Sequence, residues 1–304
     1  MSLFSRIVII GVGLIGGSLG LAIKKRQLTE NVIGIDRCEE TLQAALRLGV
    51  IDKANTDLEE AMQDQRPLSH GERIGVRGET SELVIVATPV SLVSESVLRG
   101  ATAVQNVLFT DVGSCKESIC SQKMPLPNGC RFIGSHPIAG KEQNGVEYAD
   151  ADLFENRLTV ITPTALACDR DIGLLIHFWR SLGSFVASMS PAEHDRTLAR
   201  TSHLPHLLSA LLADRLQLRD ATYTGPGYHS VTRLALGSPE VWRDIVAHNA
   251  EAILEAIRDY EHALRDLREK IERNDGEAIA QFLEHAKGNR AMLGNRPYSA
   301  TPIK

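Results

Sequence analysis

An unbroken apolar run, Ile7-Val8-Ile9-Ile10, passes directly into the glycine-rich turn GVGLIGGS. A strand covered on both faces reads as such a run, and a glycine-rich turn that opens a helix completes one β-to-α step of a parallel sheet. Four more runs of this kind follow. VIGID reaches Asp36, LVIVATP reaches Pro89, VLFTDVGS reaches Ser114, and FIGSHPIAG passes through His136. In an open parallel sheet, ligands bind just outside the carboxyl ends of the strands. Residues far apart in sequence are therefore expected over one crevice, as in a nucleotide-binding enzyme.

Between Ile7 and about Thr162, short Val/Ile/Leu-rich runs alternate with helical patterns, the signature of βαβ units. The polar stretch from Gln63 to Thr80 interrupts them and reads as an exposed surface loop or a lid over a cofactor. After Pro163 the strand signals stop, and the chain reads as helices to about Leu293. The expected division is a Rossmann-type, doubly wound parallel-sheet domain over 1–165, an all-helical domain over 166–293 and a loosely ordered tail over 294–304.

One helical pattern is long. Val246, Ala250, Ile253, Ile257, Tyr260, Leu264, Leu267 and Ile271 alternate four- and three-residue steps, with no Gly or Pro between Trp242 and Arg273. This is a narrow seam on a long helix. Packing within the domain and a homodimer interface both account for it.

The chain has 304 residues and a net charge of −5, and no basic face stands out. A nucleic acid or anionic membrane partner is therefore not expected, and no apolar run approaches a membrane span. The strand pattern begins almost at once after MSLFSR, which leaves no room for a targeting peptide and suggests a cytoplasmic protein. The cysteines Cys38, Cys115, Cys120, Cys130 and Cys168 are odd in number and form no CxxC pair, so they read as reduced thiols. Cys115 reads as a small space-filler.

Gly11, Gly13 and Gly16 form G-x-G-x-x-G after a strand and at the head of a helix, with Leu14 and Ile15 in the same turn. The spacing suits a tight turn, close approach of the backbone to a pyrophosphate, and close helix–strand packing. Asp36 ends the next strand twenty positions beyond Gly16. A carboxylate there binds adenosine ribose hydroxyls and repels a 2′-phosphate, which favours NAD over NADP. Arg37 is positioned to pair with such a phosphate and argues the other way. Thr88 and Pro89 stand where the chain passes under a nicotinamide ribose, and Asp111 precedes the turn that carries Ser114. Ser114 suits either a helix cap or a site hydroxyl.

His136 stands near a strand's carboxyl end, before Pro137. A neutral imidazole there can take a proton from an alcohol as hydride leaves the same carbon. His194, His203 and His206 form a second cluster, in which Pro205 is expected to kink the helix. His203 and His206 share a helix face, but convincing third and fourth zinc ligands are missing, so no metal is expected. Arg233 suits either a substrate carboxylate or a surface salt bridge, and Trp242 follows in the same Gly/Ser/Pro-punctuated segment.

In order along the chain, GVGLIGGS, the strand end at Asp36, VATPV, DVGSCK, GSHPIAGKEQNGVEYA, EHDRTLARTSHLPHLL and TRLALGSPEVWRDI resemble the prephenate/arogenate dehydrogenase family. The resemblance runs from residue 7 to about 245. It implies an N-terminal Rossmann domain, a dimerising helical domain, and oxidative decarboxylation of prephenate or arogenate with NAD. By the same resemblance, His136 is the base and Ser114 hydrogen-bonds the reacting hydroxyl. Arg233 holds a substrate carboxylate, His203 and His206 line the substrate pocket with Trp242 nearby, and Glu142 matches an acidic position of prephenate-using members. Imine and β-hydroxyacid reductases share the two-domain plan, but their substrate motifs do not explain GSHPIAG together with SHLPHLL. A non-enzymatic NAD sensor is a poorer fit to the full set of polar groups.

Overall fold

The computed structural model describes residues 3–63, 82–120, 125–141 and 143–293. The expected loop beyond Gln63, the residue Glu142 and the tail from 294 lie outside the described residues.

Among the described residues, β1 (Arg6–Ile10), β2 (Val32–Ile35), β3 (Lys53–Asn55), β4 (Glu82–Val86), β5 (Leu108–Asp111) and β6 (Arg131–Phe132) form one parallel sheet in the order β3-β2-β1-β4-β5-β6. The helices α1 (Leu14–Lys25), α2 (Glu39–Arg47), α3 (Leu58–Gln63), α4 (Val90–Ala103) and α5 (Glu117–Cys120) follow β1 to β5 in turn. Alternate strand residues point to opposite faces. Ile7, Ile9, Leu83 and Ile85 enter one apolar cluster with Leu19 and Ile23 of α1. Val8, Ile10, Val84 and Val86 enter a second with Val93 and Val97 of α4. Apolar cover on both faces is what the unbroken runs required. The strand order reverses between β1 and β4, which puts the topological switch point at the carboxyl end of β1.

The run containing His136 was expected to be a further strand of this sheet. Instead it divides at Ile133. β7 (Gly134–Pro137) joins a separate sheet, antiparallel to β8 (Leu158–Thr162), which pairs in parallel with β9 (Phe185–Ser188). β9 corrects the expectation that strands end at Pro163. It is four residues long and mostly half-buried, so its apolar signal is weak. The crossover helix α6 (Asp169–Ser181) buries Leu175, Phe178 and Trp179 in the first apolar cluster. The Trp179 indole donates to Ser135 Oγ at 3.1 Å.

By contacts, one compact unit comprises residues 1–195 and Ser238–His248, and a second comprises Arg196–Gly237 and residues 249–304. The sequence placed this passage at 165/166. The crossover through α6 to β9 keeps the chain in the first unit for a further strand. α7 (Pro191–Leu198) is followed by a π-helical turn, Ala199–His203, and then α8 (Leu204–Asp214). The turn precedes Pro205, whose ring and missing N–H disfavour regular α-helix bonding to the residues before it. α9 (Pro226–Thr232), α10 (Pro239–His248), α11 (Ala250–Glu272) and α12 (Gly276–Leu293) are the remaining α-helices among the described residues.

The single long helix expected across Trp242–Arg273 is broken at Asn249, where φ is −132° and ψ is 30°. The Asn249 side chain lies 3.0 Å from Nδ1 of His203, and both residues are buried. Val246 therefore lies on α10 and the rest of the seam on α11. Ile253 is buried, whereas Tyr260, Leu264 and Ile271 are exposed.

Candidate active site

The glycine-rich turn is held by close backbone contacts. Gly11 has φ of +92°, and a β-carbon on it would stand 2.7 Å from the Ala87 carbonyl oxygen. A β-carbon on Gly16 would stand 1.9 Å from the Gly11 carbonyl oxygen. Gly13 differs, with nothing within 4 Å of a β-carbon placed there. It is the N-cap of α1 and makes no side-chain cap bond. The amides of Leu14, Ile15 and Gly16 begin this helix, where N–H groups have no intrahelical acceptor and the dipole favours an anion.

The Asp36 carboxylate accepts from the Val12 amide at 2.9 Å and from the Cys38 amide at 3.0 Å. It thus ties the end of β2 to the glycine turn and remains acceptor-only, as ribose hydroxyls require. Arg37 is exposed. Thr88 follows the end of β4, and its hydroxyl oxygen is buried without a hydrogen-bond partner. Pro89 caps α4. The open side of Gly13, the free helix terminus and the orphaned Thr88 hydroxyl all fit a bound dinucleotide.

Asp111 was expected at the cofactor, but its carboxylate is committed within the protein. It is fully buried, pairs with the buried Lys116 ammonium, and accepts from the amides of Gly113 at 2.8 Å and Ser135 at 3.1 Å. A buried carboxylate and ammonium each need such partners. Asp111 therefore supports the turn that presents Ser114 and links it to β7. Ser114 is half-buried and does not cap α5. The amides of Lys116 and Glu117 instead donate to the Asp195 carboxylate, each at 2.8 Å. Cys115 is buried against the Ile245 carbonyl, and burial pushes its thiol pKa up to about 12. A thiol so rarely ionised suits space-filling better than nucleophilic attack.

His136 is the third residue of β7 and faces Val160 across the ladder. Its Nδ1 lies 2.9 Å from Nε2 of His194, and Nδ1 of His194 lies 2.7 Å from Oδ1 of Asp195. His194 and Asp195 are buried. In the sequence His194 is visible as one of a histidine cluster, but its pairing with His136 is not. Neighbouring residues on α7 meet partners more than fifty positions away, and spacing alone carries no signal of that.

The first unit thus holds Gly11, Gly13, Leu14, Ile15, Gly16, Asp36, Thr88, Ser114 and His136. Trp242 also belongs to it, packed from α10 against the second apolar cluster. The second unit holds His203, His206 and Arg233. His206 is buried on α8, and that burial holds its pKa below the usual imidazole value. Arg233 is exposed at the start of a short 3-10 turn, Arg233–Leu236.

Residues 72–188 match the family model described as prephenate dehydrogenase, nucleotide-binding domain, and residues 190–285 match prephenate dehydrogenase, dimerization domain. The chain is 32% identical over 305 residues to the prephenate dehydrogenase of Bacillus subtilis, covering 97% of this chain and 78% of that protein. The chain belongs to the prephenate dehydrogenase family. The cyclohexadienyl dehydrogenase of Zymomonas mobilis is 30% identical, covering 96% of this chain and 97% of that protein. The crystal structure of A. aeolicus prephenate dehydrogenase in complex with hydroxyphenyl propionate and NAD+ superposes with a TM-score of 0.81 at 28% identity, covering 96% of this chain and 98% of that one. In this member of the prephenate dehydrogenase family, the boundary between the two matched models falls at β9 and α7, close to where contacts divide the chain.

Proposed function

We propose that the protein catalyses the NAD-dependent oxidative decarboxylation of prephenate to 4-hydroxyphenylpyruvate and carbon dioxide. The observation that carries this reading is His136, on β7 in hydrogen-bond contact with the buried His194, in a chain of this family. A supported imidazole at that place suits removal of a hydroxyl proton. Gly11, Gly13, Leu14, Ile15, Gly16, Asp36, Thr88 and Pro89 would hold NAD, which when bound accepts the hydride from the carbon bearing the hydroxyl. Ser114 would hydrogen-bond that hydroxyl. The ketone that results is conjugated with the ring double bonds, and as carbon dioxide leaves, the electrons of the broken carbon–carboxylate bond pass through the ring to the ketone oxygen and make the ring aromatic. Arg233 would bind a substrate carboxylate through its guanidinium fork. His203, His206 and Trp242 would contribute to substrate binding.

The test is NADH formation by the purified protein, with prephenate and arogenate offered separately. Turnover with prephenate alone supports the proposal, and turnover with arogenate alone replaces the substrate. The similarity to a cyclohexadienyl dehydrogenase favours a second reading in which both are used. Activity with neither removes the reading. Higher kcat/KM with NADP than with NAD would overturn the cofactor preference drawn from Asp36.

We also propose a homodimer. The second unit leaves Tyr260, Leu264 and Ile271 of α11 and Phe282, Leu283 and Leu293 of α12 exposed, and the matched dimerization model spans most of these residues. Exposed apolar surface of this extent commonly marks an association site.

A further inference from the structure

We propose that Asp195 and His194 are positioning residues that set which ring nitrogen of His136 carries the proton. The proposal deepens the reading of His136 as the base and rests on it. Oδ1 of Asp195 meets both the Lys116 amide at 2.8 Å and Nδ1 of His194 at 2.7 Å, while Oδ2 accepts from the Glu117 amide at 2.8 Å. A carboxylate holding two backbone donors is an acceptor. Nδ1 of His194 therefore carries a proton and donates it to Asp195. In a neutral imidazole the other nitrogen is then an acceptor. Nε2 of His194, 2.9 Å from Nδ1 of His136, accepts the Nδ1 proton of His136. Nε2 of His136 is left with a lone pair, the form that a base needs.

The direction of the whole chain thus comes from two backbone amides at the start of α5. His194 and Asp195 are almost wholly buried, so bulk water does not compete for these bonds. Lys116 connects the relay to its surroundings. Its amide holds Asp195, and its ammonium holds Asp111 beneath the Ser114 turn. The imidazole orientation and the Ser114 turn share one support.

The experiment is a long-range proton–nitrogen correlation on the uniformly nitrogen-labelled protein without substrate, above the histidine titration range. His136 is assigned by the signals lost in His136→Asn. The expected result is a neutral His136 protonated at Nδ1. In Asp195→Asn a carboxamide nitrogen in the place of Oδ1 donates to Nδ1 of His194, the oxygen in the place of Oδ2 keeps the Glu117 amide, and the Lys116 amide loses its acceptor. The chain then reverses, His136 becomes protonated at Nε2, and kcat with prephenate falls on the order of a hundredfold or more with NAD affinity retained, as when a triad carboxylate is replaced by its amide. An Nε2-protonated His136 in the unsubstituted protein overturns the proposal, as does an unchanged tautomer in folded Asp195→Asn. Should that variant fail to fold, the unsubstituted spectrum still decides, and His194→Phe should remove the preference for Nδ1. Absence of turnover by the unsubstituted protein sinks the base reading but leaves the tautomer result to be judged separately.

Discussion

Gly16 lies so close to Gly11 that a β-carbon on Gly16 would stand 1.9 Å from the Gly11 carbonyl oxygen, whereas one on Gly13 would meet nothing within 4 Å. Gly16→Ala should therefore force backbone apart and cost about 1–3 kcal/mol or more of stability, read as a lowered Tm. Gly13→Ala should leave Tm nearly unchanged but raise the Kd for NAD about tenfold or more, the equivalent of roughly 1.4 kcal/mol. Equal effects of the two on Tm would contradict this geometry.

His136→Asn keeps a polar side chain of similar size but loses the imidazole base. We expect kcat with prephenate to fall by roughly 10²–10⁴-fold, the range for a general base, with the Kd for NAD little changed. Turnover close to that of the unsubstituted protein would remove His136 from the chemistry.

Arg233→Gln removes a guanidinium from an exposed position. Its main effect should be on KM for prephenate, raised about tenfold or more if a charge-assisted contact worth about 1.5–3 kcal/mol is lost. An unchanged KM would show that Arg233 does not bind the substrate.

The cysteines should separate by reactivity. Burial raises the thiol pKa of Cys115 to about 12 and that of Cys120 to about 11. Cys168 is exposed. Brief treatment of the native protein with iodoacetamide at neutral pH, followed by peptide mass spectrometry, should find Cys168 labelled well ahead of Cys115 and Cys120. Rapid native labelling of Cys115 would contradict its burial.

His206 gives a pH-dependent contribution to stability. Burial lowers its folded-state pKa below 6.5. As pH falls below that value, the unfolded chain takes up a proton that the folded chain does not, so stability falls with pH until the folded pKa is passed. His206→Gln should flatten this part of the Tm profile relative to the unsubstituted protein. Parallel profiles for the two proteins below neutral pH would show that His206 is not the group responsible.

The dinucleotide half of the fold was legible because its strands are covered on both faces. Burial on both sides leaves every position of Ile7–Ile10 apolar, and the turn that follows needs glycine at fixed offsets. β9 was not legible, since a short half-buried strand carries few apolar residues. The break at Asn249 was hidden by the continuity of the apolar seam, because the bond that accompanies it runs to His203 on another helix. Ser114, His136 and Asp36 stood out by their places at strand ends. Of their supports, His194 was visible only as one of a histidine cluster, and the roles of Asp195 and Lys116 were not visible at all, because a hydrogen bond across the fold leaves no mark in local spacing.

The return of Ser238–His248 to the first unit bears on how the chain emerges from the ribosome. Ile245 belongs to the apolar cluster that covers one face of the parallel sheet, and the Ser91 amide at the head of α4 donates to the Asp244 side chain. A nascent chain that has passed Asp195 has made every strand found among the described residues but not this cover. Much of the helical unit must be synthesised before the last piece of the sheet's packing arrives, so the nucleotide-binding unit reaches its full stability only late in translation.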